Sequence, residues 1–290
     1  MKHLRNISIW LVLSFSPLTG IMAQSVSYTE TDSLIFEKYK KEYIKYRNLP
    51  VNNLLVQTAK YFIGRPYVAH TLEGTEREVL TVNLREFDCT TFVESCIALA
   101  RTMKSDENSF ADFCVNLKKI RYRNGIIEDY SSRLHYVSDW MYEHEKDKIL
   151  QNISKEIGGG LHNKNITFMS SHANLYPQLL NNKELQKKIK IIEDKLNKRG
   201  GYYVLSKEKI YSAGNAMKDG DLVIFSTSIP NLDFTHMGII IQKNEETGFI
   251  HASSAAKKVI TENKSLPEYC RDSKKCDGIV ILRLNLQRDE

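Results

Sequence analysis

The order in which side-chain periodicity changes along this 290-residue chain constrains its fold more than any other feature. Through the first two-thirds, apolar and aromatic residues recur at three- and four-residue steps. In the last third they gather into short β-rich runs separated by turn residues. Helices first and strands afterwards predict an α+β domain, with helices packed on an antiparallel sheet, rather than an alternating parallel fold.

Ile35, Tyr39, Tyr43 and Tyr46 mark one amphipathic helix over 32–47. Pro50 opens a second, which ends before Gly64. A third begins at Asp88. Further helices are predicted over 105–120, 132–144 and 179–198, and the Gly158-Gly159-Gly160 run marks a loop. Strands are predicted over 221–226, 234–242, 248–252 and 278–284.

A chain that is 42% hydrophobic, with 15 Tyr and 11 Phe, has enough apolar surface for one large domain or for a core with an insertion. Residues 1–23 read as an export signal. Lys2 and Arg5 precede an apolar run broken at Ser16-Pro17, and Ala23 precedes Gln24. The run stops short of the roughly 20 residues a spanning helix needs. No Cys follows the cleavage point to take a lipid, and the competing reading is a buried N-terminal helix. The mature chain, 24–290, is then expected to be periplasmic or secreted, without stable membrane insertion.

The formal charge of +6 is spread among acids rather than massed, which argues against nucleic-acid binding. Five Cys cannot all pair within one chain. Cys270 and Cys276 have a spacing that would allow a small disulfide loop, with two unpaired thiols as the alternative. No Cys/His spacing suggests a metal site.

The most informative stretch is Phe87-Asp88-Cys89-Thr90-Thr91-Phe92-Val93-Glu94. Asp88 is a good N-cap, and Phe87 and Phe92 stand where a hydrophobic staple would form. Cys89 then occupies the first helical position, where unpaired N–H groups and the helix dipole favour a thiolate and lower its pKa. The plainer alternative is a small buried hydrophobe, the role read for Cys96. A nucleophilic thiol also needs a base, and the base needs an orienting partner. His236 and His251 lie in neighbouring predicted strands. Period two puts Phe234, His236, Gly238 and Ile240 on one face, with Gly238 leaving room for the Cys89 helix. A strand histidine taken singly is more often a satisfied structural residue than a catalyst. His135 and Asp139, at helical spacing beside Tyr136 and Trp140, suit a surface contact or a sugar-binding wall, and His172 is open in the same way.

Taken in order, Gly64-Arg65-Pro66-Tyr67-Val68, Asp88-Cys89-Thr90-Thr91-Phe92-Val93-Glu94, His236-Met237-Gly238-Ile239 and Ile250-His251-Ala252-Ser253 resemble the motifs of NlpC-type, papain-like cell-wall amidases. With the stretch from Ser132 to Trp140 and Ser171-His172, the chain resembles the N-acetylmuramoyl-L-alanine amidase-like branch from about residue 35 onward. The resemblance implies a papain-like NlpC-type core with a helix-borne Cys on an antiparallel sheet. The long separation of Cys89 from His236 implies a large, mostly helical insertion at about 105–205. The roles implied are nucleophile for Cys89, base for His236 and orienting residue for His251, with the Cys89 N–H in the oxyanion hole. Tyr67 and Asp88 would help bind substrate beside the nucleophile, and Arg133, His135, Asp139, Trp140 and His172 would form a substrate wall. The implied reaction is hydrolysis of the N-acetylmuramoyl–L-alanine amide of soluble peptidoglycan fragments, anhydro forms included, without metal or cofactor. The same machinery would serve a γ-D-glutamyl-diamino acid endopeptidase. A non-catalytic muropeptide-binding protein would keep Cys89 as structure only.

Overall fold

In the computed structural model, residues 26–73, 77–243 and 246–285 are described. The expected signal segment and the tip of the turn after 243 lie outside them. Nine α-helices are described: α1 (Glu30–Tyr43), α2 (Val51–Tyr61), α3 (Cys89–Lys104), α4 (Phe110–Arg121), α5 (Val137–Lys146), α6 (Phe168–Ser171), α7 (Lys183–Arg199), α8 (Lys207–Ala213) and α9 (Leu266–Asp272). The strands are β1 (Val26–Ser27), β2 (Leu80–Thr81), β3 (Leu150–Asn152), β4 (Gly160–His162), β5 (Tyr202–Ser206), β6 (Leu222–Thr227), β7 (Phe234–Lys243), β8 (Glu246–Ser253), β9 (Lys258–Thr261) and β10 (Cys276–Leu284). The α+β expectation holds.

The main sheet runs β4-β5-β10-β6-β7-β8-β9, with β3 also on β10, and every described pairing within it is antiparallel. Apolar residues leave β6 and β10 on both faces. Leu222, Ile224, Val280 and Leu282 join a core with α1 to α4, whereas Val223, Phe225, Ile279 and Ile281 join a second core with α8 and α9. A strand covered on both sides has no reason to alternate with polar residues, which explains the unbroken Leu222-Val223-Ile224-Phe225 run.

Capping boxes fix two helix starts near one another. Asp32 accepts from the backbone N–H of Thr29 at 2.9 Å. Its other oxygen accepts from the Leu84 N–H at 2.8 Å and from Arg85 Nε at 3.1 Å. This fully buried carboxylate therefore ties α1 to the chain that leads into α3. Asp88 accepts from the Thr91 N–H at 2.8 Å, and Phe87 meets Phe92 with ring centroids 5.9 Å apart. The expected cap and staple are both present.

Helix α3 is buried along most of its length and carries Glu94 inside the protein. Arg121, at the end of α4, meets Glu94 at 2.7 Å and also donates to the Thr81 carbonyl at 2.6 Å. Both side chains are almost wholly enclosed.

Several boundaries differ from expectation for local reasons. The fourth helix starts at Phe110 because Ser109 caps it, accepting from the Asp112 N–H at 3.1 Å. The predicted helix over 132–144 starts only at Val137. A single 3-10 turn at Tyr130–Ser132 and an extended Arg133 precede it. Within the stretch expected to be inserted, α4 packs on α3, and β3 and β5 pair with β10, so these pieces are built into the main body. Tyr130, Tyr136, Ile166, Met169, Leu179, Ile189 and Leu196 form a separate small core beneath α7. Cys270 and Cys276 are free thiols in hydrogen-bond contact, not a disulfide. No described helix is long and apolar enough to cross a membrane.

Removing one partner of a buried ion pair strands the other charge. Arg121→Met is expected to lower unfolding free energy by about 3–5 kcal/mol. The double variant Glu94→Leu/Arg121→Met should lose clearly less, as urea unfolding would show. Additive losses would mean that the two side chains do not act as a pair.

Candidate active site

Cys89 stands at the mouth of a helix whose first N–H groups have no intrahelical acceptor. Its half-buried thiol lies beside Thr90, with Sγ 4.0 Å from Oγ1, and the Met237 backbone N–H also reaches the sulfur. Met237 follows His236 in β7, so this contact brings the helix mouth to the strand that carries the imidazole. Cys89, Thr90, His236 and Met237 line one cavity of about 170 Å³. His236 Nε2 is 2.6 Å from His251 Nδ1. Beyond it, His251 Nε2 is 3.3 Å from Glu262 Oε2, close enough for charge attraction though not aligned as a straight hydrogen bond.

The strand geometry follows simple alternation only in part. The β6–β7 register shifts between Phe225 and Ser226. That bulge turns Phe234 into the core with Met237 and Ile239, and away from the Ile240 side. Phe234 therefore does not share a face with His236 as simple alternation would have it. Gly238 does leave room, but for β8 and not for α3. A Cβ there would lie 2.9 Å from the Ile250 carbonyl and 3.3 Å from His251 Cβ.

The ionisation of Cys89 also departs from expectation. Burial, followed by the Asp88 carboxylate, pushes the thiol up to about 12, and the contacts with Thr90 and Met237 offset this only in part. Burial, then the His251 charge, pulls His236 down to about 3. His251 is also lowered by burial, against the opposing pull of Glu262. The resting groups are a neutral thiol and neutral imidazoles. Ionising either alone would leave one buried charge.

Tyr67 reaches the site through its backbone. Gly64 donates to Val259 at 2.8 Å, Tyr67 to Lys257 at 2.9 Å, and Phe87 to Pro66 at 3.0 Å. The Gly-Arg-Pro-Tyr segment thus bridges β9 and the residue before the α3 cap. Burial and then the neighbouring Cys89 raise the Tyr67 phenol. Asp88 is present mainly as the cap.

The expected wall divides. His135 lines the cavity and donates from Nε2 to the Tyr130 carbonyl at 2.7 Å, and burial followed by Arg133 lowers it to about 3. Arg133 points elsewhere, bonding Glu78 at 2.8 and 2.9 Å and Glu73 at 2.7 Å. Asp139 and Trp140 are not brought to the cavity. Asp139 holds Arg123 at 2.5 Å and Arg199 at 2.6 Å. Trp140 is 1% exposed and donates to the Ile120 carbonyl at 2.9 Å. Of the two aromatic neighbours that suggested a sugar wall, Trp140 belongs to the core because α5 turns it inward, whereas Tyr136 lines the cavity. His172 stacks on Phe168 and bonds its carbonyl at 2.9 Å, and it does not line the cavity.

Other residues complete the site. Asp233 accepts from the Ser138 N–H and hydroxyl, both at 2.8 Å, at the N-terminus of α5. A carboxylate suits that end of a helix, and this one fastens the wall to the turn before β7. Tyr136 donates to Glu193 at 2.7 Å and accepts from the Met169 N–H at 2.8 Å, so Tyr136 and Met169 are held as adjoining wall. Tyr269 of α9 packs its ring 5.8 Å from His251 and 6.4 Å from His236. Among the described residues no His/Cys/Asp/Glu cluster could hold a metal ion.

A thiol at a helix mouth, sharing a cavity with a backed imidazole on an antiparallel strand, defines a class of site suited to acyl transfer. The chain belongs to the N-acetylmuramoyl-L-alanine amidase-like family, whose model matches residues 57–279. An N-acetylmuramoyl-L-alanine amidase from Bacteroides uniformis is 36% identical, with 81% of this chain and 99% of that one covered and a TM-score of 0.77. A Bacteroides fragilis protein, named provisionally as a xylanase, is 35% identical over 79% of this chain and 100% of its own, with a TM-score of 0.75. A Legionella pneumophila protein shares the fold at 22% identity and a TM-score of 0.68, over 87% of this chain and 95% of that one. No curated protein matches the sequence.

A thiol pushed this far up is ionised only in a minute fraction at neutral pH. Alkylation of Cys89 by iodoacetamide, read against Cys89→Ala, should be slow at pH 6 and climb about tenfold per pH unit to pH 9. A rate already on a plateau at pH 6 would mean a resting thiolate.

Proposed function

We propose that the cavity is the active site of an exported, cysteine-dependent amidase that cleaves the N-acetylmuramoyl–L-alanine bond of muropeptides, anhydro forms among them. The observation that carries this is a helix-mouth Cys89 and a His251-backed His236 lining one cavity, in a chain of the amidase-like family. The helix-on-sheet placement of these groups is the papain-like, NlpC-type arrangement, with the segment under α7 as its insertion. Residues 1–23 direct export to the periplasm or beyond.

Cys89 Sγ attacks the lactyl carbonyl as its proton passes to His236. The C–S bond forms while the carbonyl π pair moves to oxygen, beside the N-terminal N–H of Cys89. Collapse expels the L-Ala nitrogen, which takes the proton from His236 and leaves as the free stem peptide. Water, giving a proton to His236, attacks the thioester, and the proton returns to Sγ as the muramoyl acid departs. Because both groups rest neutral, proton transfer and attack proceed together. His135, Tyr136 and Met169 contact the substrate, with Tyr67 beside the sulfur. Arg133, Asp139, Trp140 and His172 hold the frame behind them.

The name of the Bacteroides fragilis neighbour raises glycoside hydrolysis as a second reading. That chemistry canonically needs two carboxyl groups about 5–9.5 Å apart across the scissile bond. Asp233 is the only carboxylate among the described lining residues, and Ser138 and Phe234 already engage its oxygens. Acyl transfer fits the site better. The γ-D-glutamyl endopeptidase uses the same groups and differs only in which amide is presented to Cys89.

Disaccharide-peptides with and without an anhydro end, incubated with the mature protein and with Cys89→Ala, separate these readings by mass spectrometry. Free disaccharide and intact stem peptide are expected from the wild type, with a rate loss of at least about a thousandfold in the variant. A cut inside the peptide would replace the amidase with the endopeptidase. No cleavage together with tight binding would make the protein a muropeptide receptor.

A further inference from the structure

Two neutral imidazoles 2.6 Å apart share a single proton, and it can sit either way round. If His251 donates from Nδ1, its Nε2 carries a bare lone pair. His236 then accepts at Nε2, keeps its own proton on Nδ1 and has no free lone pair with which to act as a base. If His236 donates from Nε2, its Nδ1 is bare and His251 carries its proton on Nε2. Nothing in the two rings themselves decides between these arrangements.

The group beyond the pair does decide. Glu262 Oε2 lies 3.3 Å from His251 Nε2, and that nitrogen has no other polar partner among the described residues. A carboxylate only accepts. A bare nitrogen facing it would set lone pair against negative charge in a place where His251 is 1% exposed. The carboxylate is also held in place. Oε1 accepts from the Asn263 N–H at 2.9 Å and the Lys264 N–H at 3.2 Å, which leaves Oε2 to face the ring. The nearby Lys264 ammonium is engaged elsewhere, with Asp272 at 2.8 Å. The Glu262 backbone N–H is fastened to the Phe249 carbonyl at 2.9 Å.

We propose that Glu262 is a positioning residue that sets the direction of the His236–His251 hydrogen bond, keeping the proton on His236 Nε2 and leaving Nδ1 as the basic nitrogen. Glu262 touches neither substrate nor sulfur and acts through His251. When His236 takes the thiol proton on Nδ1, the imidazolium is faced by the His251 lone pair and, one ring further, by a carboxylate. No proton need leave Nε2. The consequence for rate rests on the Cys89–His236 reading above, whereas the tautomer assignment does not.

Nitrogen-15 NMR of the histidine-labelled protein near neutral pH, with rings assigned through His236→Gln and His251→Gln, reads the tautomers without substrate. The expected wild-type spectrum shows both His236 and His251 protonated at Nε2 with pyridine-like Nδ1. In Glu262→Gln, whose amide can donate to His251, His251 should move towards the Nδ1–H form. On any muropeptide that is turned over, kcat should drop roughly tenfold or more with KM nearly unchanged, as for other lost tautomer-setting carboxylates. Glu262→Asp should restore the wild-type tautomers at least in part. A wild-type His251 protonated at Nδ1, or tautomers untouched in Glu262→Gln, would overturn the proposal. Correct tautomers in a protein that cleaves no muropeptide would instead count against the amidase reading alone.

Discussion

The hydrogen bond from the Thr91 N–H to the Asp88 carboxylate is the contact on which the rest of the site depends. It ends the irregular chain and starts α3 at one residue, so that Cys89 faces out of the helix mouth rather than into its barrel. A substituted N-cap typically costs a helix about 1 kcal/mol, but its importance here is positional. A start displaced by one residue would turn the thiol by about 100° around the helix axis. The same carboxylate opposes ionisation of the sulfur it positions. The site thus combines an accurately placed nucleophile with a protonated resting state, and activation falls to the partner on the strand.

That partner is delivered by the sheet. Two-sided burial of β6, β7 and β10 fixes the strands, and the bulge opposite Phe225 re-aims the residues before His236. Gly238 lets β8 approach until the two rings meet. Some buried charges are paired, whereas Glu193 and Asp233 are held by hydroxyl and backbone N–H donors. Glu94 with Arg121, Asp32 with Arg85, and Arg133 with Glu73 and Glu78 join segments far apart in sequence. Asp233 is the one acid among the described residues that line the cavity, and it is spent on the start of α5.

Much of this was legible in the sequence where one local rule governs one local outcome. Asp88 followed by a helix-compatible run gave the cap, Phe87 and Phe92 gave the staple, and two histidines in adjacent strands gave the ring contact. What the sequence concealed depends on three-dimensional closure. Whether α5 turns Trp140 inwards or outwards depends on what lies beneath it, which periodicity does not say. The bulge that separates Phe234 from His236 leaves strand alternation looking regular. Helix position alone favours a thiolate at Cys89, and only the packed neighbours show that burial outweighs it. Glu262 sits in a turn-like stretch, Glu262-Asn263-Lys264-Ser265, that reads as exposed loop. Its link to His251 exists only once β8 and β9 are paired.

The central claim is that the sulfur of Cys89 becomes acylated by the muramoyl side of the scissile amide. Acid quenching of the protein within the first turnovers on a disaccharide-peptide, followed by intact-mass measurement and peptide mapping, tests it directly. The account predicts a transient adduct on Cys89 with the mass of the disaccharide-lactyl group and none of the stem peptide. Products that accumulate with no adduct at any time, or an adduct on a residue other than Cys89, would contradict it.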